Sequence, residues 1–192
     1  KIELAEDEPY RAMYKITNTI TVPKSGDDNF EDEKRHMVFF KERVGGRSND
    51  TVEMKIETFV SLDKNGKGVK IKTRFDNEVK DHRVRIMVPT GINSDVHKAD
   101  SVFEVVTRNN RHNAGWNNPS GCEHEQGFVS IDDGEKGIAV ANIGLYEYEM
   151  LPDLDNTIAV TILRAVGEMG DWGVLPTPKA QCLGISETGI EI

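Results

Sequence analysis

Scarce cysteine, scarce tryptophan and a deficit of basic side chains set the first limits on this 192-residue chain. The two cysteines, Cys122 and Cys182, are too few for a disulfide framework, and both are expected to be reduced thiols. Lysine and arginine number 24 against 33 aspartates and glutamates, which leaves a formal charge of −9. A nucleic-acid binder needs a clustered basic face to neutralise phosphates, so that class is excluded, and docking on an anionic membrane is disfavoured for the same reason. No apolar run approaches the ~18 residues of a transmembrane helix, and no basic-then-apolar signal segment opens the chain. The chain begins without Met and ends inside an alternating pattern, so the expectation is a fragment of a longer protein.

What the chain has in plenty is alternation. "TVEMKIETFVSL" puts Val52, Met54, Ile56 and Thr58 on one side and Glu53, Lys55 and Glu57 on the other, the period of a half-buried strand. "GVKIKTRF" repeats the pattern, and "DKNGKG" between the two predicts a hairpin turn. "RAMYKITNTITVP", "DHRVRIMVPTG" and "ADSVFEVVTR" each read as one strand, with Pro89 stopping the second of these. "GFVSIDD" and "GIAVANIGL" form a second hairpin through "DDGEKG", and "YEYEML" and "TIAVTILRAVG" follow as strands. Strands recurring every ~8–12 residues with turn signals between them predict an all-β antiparallel sandwich with little helix. "NFEDEKRHMVFFKERVGG" fits a short helix, acidic first and basic last, or a strand around "HMVFF". No repeat or linker divides the chain, so residues 1–192 are expected to form a single domain.

Reactive side chains concentrate in "VTRNNRHNAGWNNPSGCEHEQGF". Cys122, His124 and His112 are candidate zinc ligands, but their spacing matches none of the recurring zinc patterns. A Cys122–His124 nucleophile pair lacks a helix N-terminus or a cationic setting to lower the thiol pKa, and Glu123 and Glu125 would raise it. Asp63, Asn65 and Gly68 partly fit a calcium loop, yet Arg74 stands where a bidentate Glu is required. The carboxylate pairs Asp132–Asp133, Asp153–Asp155 and Glu147–Glu149 read as solvated turn or outward strand positions rather than the two catalytic carboxyls of a glycosidase. Arg108, Asn109, Asn110, Arg111, Trp116, Asn117 and Asn118 make the best binding surface, because such groups pair with sugar hydroxyls and stack on sugar faces.

At "YKITNTITVP", "FDNEVKDHRVRIMVPTG", "FEVVTR", "GFVSIDDGEKGIAVANIGLYEYEML" and "TIAVTILRAVG…TPKAQCLG", the chain resembles glycoside hydrolase family 38, the α-mannosidases, in the β-rich C-terminal half of bacterial members. The resemblance runs from about Tyr14 to Gly184. It implies a sandwich of the galactose mutarotase-like supersandwich type. It also implies a parent enzyme that cleaves α-mannosidic bonds with retention, using one carboxylate as nucleophile, another as acid/base and a zinc ion on the mannose hydroxyls. The zinc and the nucleophile belong to the family's N-terminal barrel-like domain, and its zinc stretch of the H-x-H-x-D type has no counterpart here. No cofactor and no catalytic residue are therefore expected in this fragment.

The resemblance carries over one residue directly. Arg108 matches an Arg that ends the "FEVV"-type strand and lies toward the cleft, and the expectation extends to Arg111 and Trp116 as substrate-binding residues. Arg164 is expected to be structural and to pair with an acidic turn. The implied partners are the N-terminal catalytic domain of the same chain, an α-mannoside, and other copies of the parent in a homo-oligomer, in the bacterial cytoplasm. The alternative is a free-standing carbohydrate-binding or purely structural sandwich. A binding module needs an exposed aromatic platform, for which Trp116, Trp172 and the four tyrosines are available, with Tyr146 and Tyr148 on a strand expected to be buried.

Overall fold

The computed structural model describes residues 1–116, 120–169 and 175–192. Along the chain these form β1 (Ile2–Glu8), β2 (Arg11–Pro23), helix α1 (Asp28–Arg35), β3 (Thr51–Asp63), β4 (Lys70–Asn77), β5 (Arg83–Val88), β6 (Val96–Asp100) and β7 (Val105–Asn109). There follow β8 (Cys122–His124), β9 (Phe128–Asp132), β10 (Gly137–Asn142), β11 (Glu147–Met150), β12 (Ile158–Arg164), the short pair β13 (Glu168–Met169) and β14 (Leu175–Pro176), and β15 (Gly184–Glu191). A nine-stranded antiparallel sheet runs in the order β1-β2-β3-β4-β15-β10-β9-β6-β7, and a four-stranded one in the order β5-β12-β11-β8. Their facing surfaces supply the core, so the architecture is the β-sandwich that the alternation predicts.

Period-two patterning decides which residues meet. In the β3–β4 hairpin Ile56 lies opposite Phe75 and Val60 opposite Ile71, and Met54 and Phe75 are buried. The turn residues that partly fit a calcium loop do other work. Gly66 N–H closes the turn onto the Asp63 carbonyl at 2.9 Å. The Asp63 carboxylate accepts from Arg11 Nε and Lys70 Nζ at 2.7 Å each.

The core has two parts. Ile158 and Val160 of β12 meet Val129, Val140 and Ile190 of the large sheet, while Ile162, Leu163 and Ala165 meet Met54 and Phe75. A register shift between Thr161 and Leu163 turns both Ile162 and Leu163 to the interior, where strict alternation would expose one of them. Truncating such a buried leucine to alanine costs about 2–5 kcal/mol.

Two segments answer questions that patterning left. The stretch before Gly45 contains a helix: the Asp27 carboxylate caps it by accepting from Phe30 N–H at 2.8 Å, and "HMVFF" forms no strand. "ADSVFEVVTR", read as one strand, is two. β6 and β7 pair antiparallel around a turn in which Phe103 adopts φ 70° and is fully exposed. Val102 and Phe103 extend the apolar run in sequence, but they sit at the tip of the reversal and contact no core.

Candidate functional site

Strand β7 ends the large sheet and β8 ends the small one, and Arg108 of β7 joins these two open edges. Its Nη1 donates to the His124 carbonyl at 2.7 Å and to the Tyr148 hydroxyl at 2.8 Å, and its Nε lies 3.5 Å from the Glu123 carboxylate. The guanidinium also lies over the Tyr148 ring, 5.8 Å from its centroid. Tyr148 is completely buried and passes the connection inward. Its hydroxyl is 2.6 Å from His97 Nε2, His97 Nδ1 is 2.8 Å from Asn110 Oδ1, and Asn110 Nδ2 donates to the Ser94 carbonyl at 2.7 Å.

The direction of this chain follows from its ends. Asn110 uses its Nδ2 on Ser94, so its Oδ1 accepts from His97 Nδ1–H; with a neutral ring, Nε2 then accepts the Tyr148 proton, while the Tyr148 oxygen accepts from Arg108. The neutral ring is the form that burial favours. Burial lowers the pKa of His97, and the neighbouring Arg108 charge acts in the same direction. Burial pushes the Tyr148 phenol up to about 12, partly offset by the Arg108 hydrogen bond.

The other expected binding residues divide between anchor and surface. Arg111 donates to the Leu151 carbonyl at 3.1 Å and to the Asp153 carbonyl at 2.8 Å, tying the loop to the β11–β12 connection. Trp116 is 63% exposed and stacks on His112 with ring centroids 5.9 Å apart and planes inclined by 25°. Asn117, Asn118 and Trp172 lie outside the described residues. Tyr146 is exposed and precedes β11, so the reading that buried it together with Tyr148 is corrected.

On the outer surface of the small sheet the carboxylates are paired rather than merely solvated. Glu149 accepts from Arg85 at 2.6 Å and from Arg83 at 3.2 Å. Glu147 accepts from the Thr161 hydroxyl at 2.8 Å and from Arg164. Burial would raise the Glu147 pKa, but Thr161, Arg164 and Arg83 outweigh it and hold the carboxyl below its usual range. Arg164 thus pairs with a strand residue of β11, not with an acidic turn. Arg83 Nη1 donates to Cys122 Sγ at 2.7 Å, supplying the cationic neighbour that local sequence did not reveal.

Glu125, three residues on, is completely buried, and among the described residues its carboxyl oxygens have no well-formed hydrogen bond, the Asn142 amide being the polar group that acts on them. Both cysteines are free, and among the described residues no three His, Cys, Asp or Glu side chains gather to hold a metal ion. With His112 stacked on Trp116 and Cys122 turned to Arg83, these residues do not fit a zinc site. The arrangement offers a rigid, polar wall with an exposed indole face. Sequence reasoning did not single out His97. The signal was present, because alternation in "VHKAD" turns His97 inward together with Ala99.

The chain matches the family described as "Glycosyl hydrolases family 38 C-terminal domain" over residues 21–169. A relative from Halalkalibacterium halodurans, named "Putative mannosylglycerate hydrolase", is 39% identical over 186 residues, which make up 97% of this chain and 20% of that protein. The crystal structure of an alpha-mannosidase from Enterococcus faecalis V583 covers 100% of the chain with a TM-score of 0.93 at 40% identity, the match taking in 21% of that protein. A second E. faecalis structure, of a protein in the glycosyl hydrolase family 38, matches with a TM-score of 0.90 at 40% identity, over 100% of this chain and 22% of that one. The chain therefore spans about a fifth of the length of the relatives it matches.

Proposed function

The chain belongs to glycosyl hydrolase family 38 as its C-terminal domain, and from that premise we propose that it is the β-sandwich of a longer, retaining α-mannosidase. The observation that carries this reading is full-length superposition, at 40% identity, on one fifth of an alpha-mannosidase. In this reading residues 1–192 form one domain that supports the catalytic domain and closes one wall of the substrate cleft. The nucleophile, the acid/base and the zinc lie in the remainder of the parent chain. No helix among the described residues is long and apolar enough to cross a membrane. The family resemblance alone is the ground on which the parent enzyme is proposed to be a bacterial cytoplasmic homo-oligomer.

The contribution of this chain is positional. Arg108 locks the β7 end to β8 and β11, Arg111 fixes the loop that follows, and Trp116, further along that loop, presents its ring to solvent. An exposed indole face suits a pyranose, which offers apolar C–H groups on one face and hydroxyls at its rim. The names of the relatives differ in the group attached to the mannose, so the aglycone is to be settled by assay.

The test compares the parent enzyme with the isolated 192-residue chain on a chromogenic α-mannoside and on mannosylglycerate, both with added zinc. Turnover by the parent and none by the fragment is expected. Turnover by the fragment, or a parent inert on both substrates, overturns the proposal. The exposed Trp116–His112 stack favours one rival, a carbohydrate-binding module. Saturable mannose binding to the isolated chain in calorimetry would support that rival.

A further inference from the structure

The two sheets do not match in width. Nine strands face four, and the mismatch is concentrated at one end. β12 and β5 of the small sheet pack against β3 and β4, where Val84, Ile86 and Ile162 meet Met54 and Phe75. Beyond β5 the small sheet stops, while the large sheet continues through β2 to β1. The continuation keeps the inward register through β2 and into β1 as far as Leu4, where a bulge between Leu4 and Glu6 shifts it. Ile20 lies opposite Met54, Tyr14 opposite Val60, and Leu4 opposite Tyr14, so these residues share the face that Met54 buries. Yet Ile2 is 69% exposed, Leu4 54%, Tyr14 49% and Leu62 50%, against 3% for Met54.

Charge placement argues that this face is an interior surface. The inward positions of β2, from Ala12 to Val22, and of β3, from Val52 to Leu62, carry no charged residue and only Asn18 and Thr58 as polar side chains among otherwise apolar or tyrosine positions. The one charge near this face is Asp7, which the β1 bulge sets opposite Ala12 at the far end of the strand. The outward positions of the same strands carry Arg11, Lys15, Glu53, Lys55, Glu57 and Asp63. A sheet face that stays in water carries charges that keep it soluble and discourage pairing. Contiguous apolar surface of this kind on a soluble protein marks a binding surface. Beside it, β5 pairs only with β12 among the described residues, so its other edge is available for a further strand.

We infer that the uncovered inner face of β1, β2 and β3 is covered by additional β-strands from the parent polypeptide, added to the β5 edge so that the small sheet continues across β2 and β1. The inference rests on the reading of this chain as part of a longer enzyme, and the relatives, about five times its length, supply the chain needed. Adjacent strands are ~4.8 Å apart, so about two added strands span the distance from β3 to β1. Their chemistry follows from what they cover: alternating sequence with aliphatic or aromatic residues turned to Tyr14, Leu62 and Leu4, and backbone groups aligned with Arg83–Val88. The occupant is thus a segment of the same polypeptide, not a second copy.

The test uses the full-length parent. A benzophenone amino acid is placed at Tyr14 or at Leu62, with the outward, exposed Thr19 as control, and the photoproducts are mapped by mass spectrometry. Cross-links from Tyr14 and Leu62 to peptides of the same chain outside these 192 residues are expected, with yields well above that at Thr19. Cross-links between copies, cross-links confined to the 192 residues, or yields no greater than at Thr19 each overturn the inference. α-Mannosidase activity of the unmodified parent is measured in parallel. Its absence refutes the enzymatic reading, while the photoproducts alone decide the interface.

Discussion

Replacing Glu125 by Gln should stabilise the fold at about pH 8 and leave it unchanged at about pH 4. Glu125 is completely buried, and among the described residues its carboxyl oxygens have no well-formed hydrogen bond. Burial raises its pKa from 4.5 to about 7. The nearby Asn142 amide pulls the other way, and the Asp100 charge adds to the rise. The folded chain therefore holds this proton more tightly than the unfolded chain does. Below about pH 4.5 both states are protonated and the carboxyl imposes no penalty. Between about 4.5 and 7 the unfolded state releases the proton first, so stability falls as pH rises, and above about 7 the full loss is present. A shift of this size corresponds to about 3 kcal/mol. For a chain of this length that is a difference of roughly 6–12 °C in melting temperature. Gln keeps the shape and removes the charge, so its urea midpoint should stay flat where that of the native chain declines. Parallel pH profiles for the two proteins between about pH 5 and pH 8 would show that the carboxyl is hydrated or paired, and the argument from burial would fail.

Tyr148→Phe should destabilise the chain by about 1–3 kcal/mol, because it strands His97 Nε2 in the interior and removes the Arg108 acceptor; denaturant unfolding reads the loss, and an unchanged midpoint would deny the relay. Phe103→Gly should raise stability by about 1 kcal/mol, since the ring is fully exposed and the backbone holds a left-handed φ of 70°. A drop in melting temperature would mean that Phe103 has packing partners. Arg108→Ala should lower kcat/KM of the parent enzyme on an α-mannoside by about tenfold or more, because the loop it positions is released, while circular dichroism retains the β-sheet signal. Unchanged kinetics would reduce the loop to a connector.

Much of the sandwich was legible because most strands keep one face wet; β12, buried from Ile158 to Leu163, is the exception. The β3–β4 and β9–β10 hairpins have alternating flanks and Gly-containing turns, and both formed as the pattern requires. Where apolar residues ran together, patterning failed. Val102 and Phe103 sit at a turn tip, and only their exposure distinguishes them from core residues. β8 was invisible because three residues, "CEH", are too few to show alternation, and it owes its strand geometry to pairing with β11. The site was less legible still. Arg83 lies 39 residues from Cys122 in sequence, and only the order β5-β12-β11-β8 brings the two together. Glu125 reads as one more polar loop residue, and nothing in "CEHEQ" indicates which of its two glutamates is buried.

The geometry separates two ways in which the Arg108 loop could matter to a sugar. Arg108 is committed to the His124 carbonyl, the Tyr148 hydroxyl and the Glu123 carboxylate, so its effect on a substrate passes through the position of the loop. Lysine at this position keeps the charge but not the planar fork that reaches two strands at once. Arg108→Lys should therefore resemble Arg108→Ala in stability and in kinetics. Trp116 is in the opposite situation. Its ring is exposed and stacked on His112, so Trp116→Ala should leave the urea midpoint unchanged and act on KM alone if the indole meets the sugar. A lysine variant with native kinetics would show that charge, not geometry, is what Arg108 supplies. A Trp116 variant with native KM would move the sugar contact away from this loop and leave Arg108 as an interlock between the two sheets.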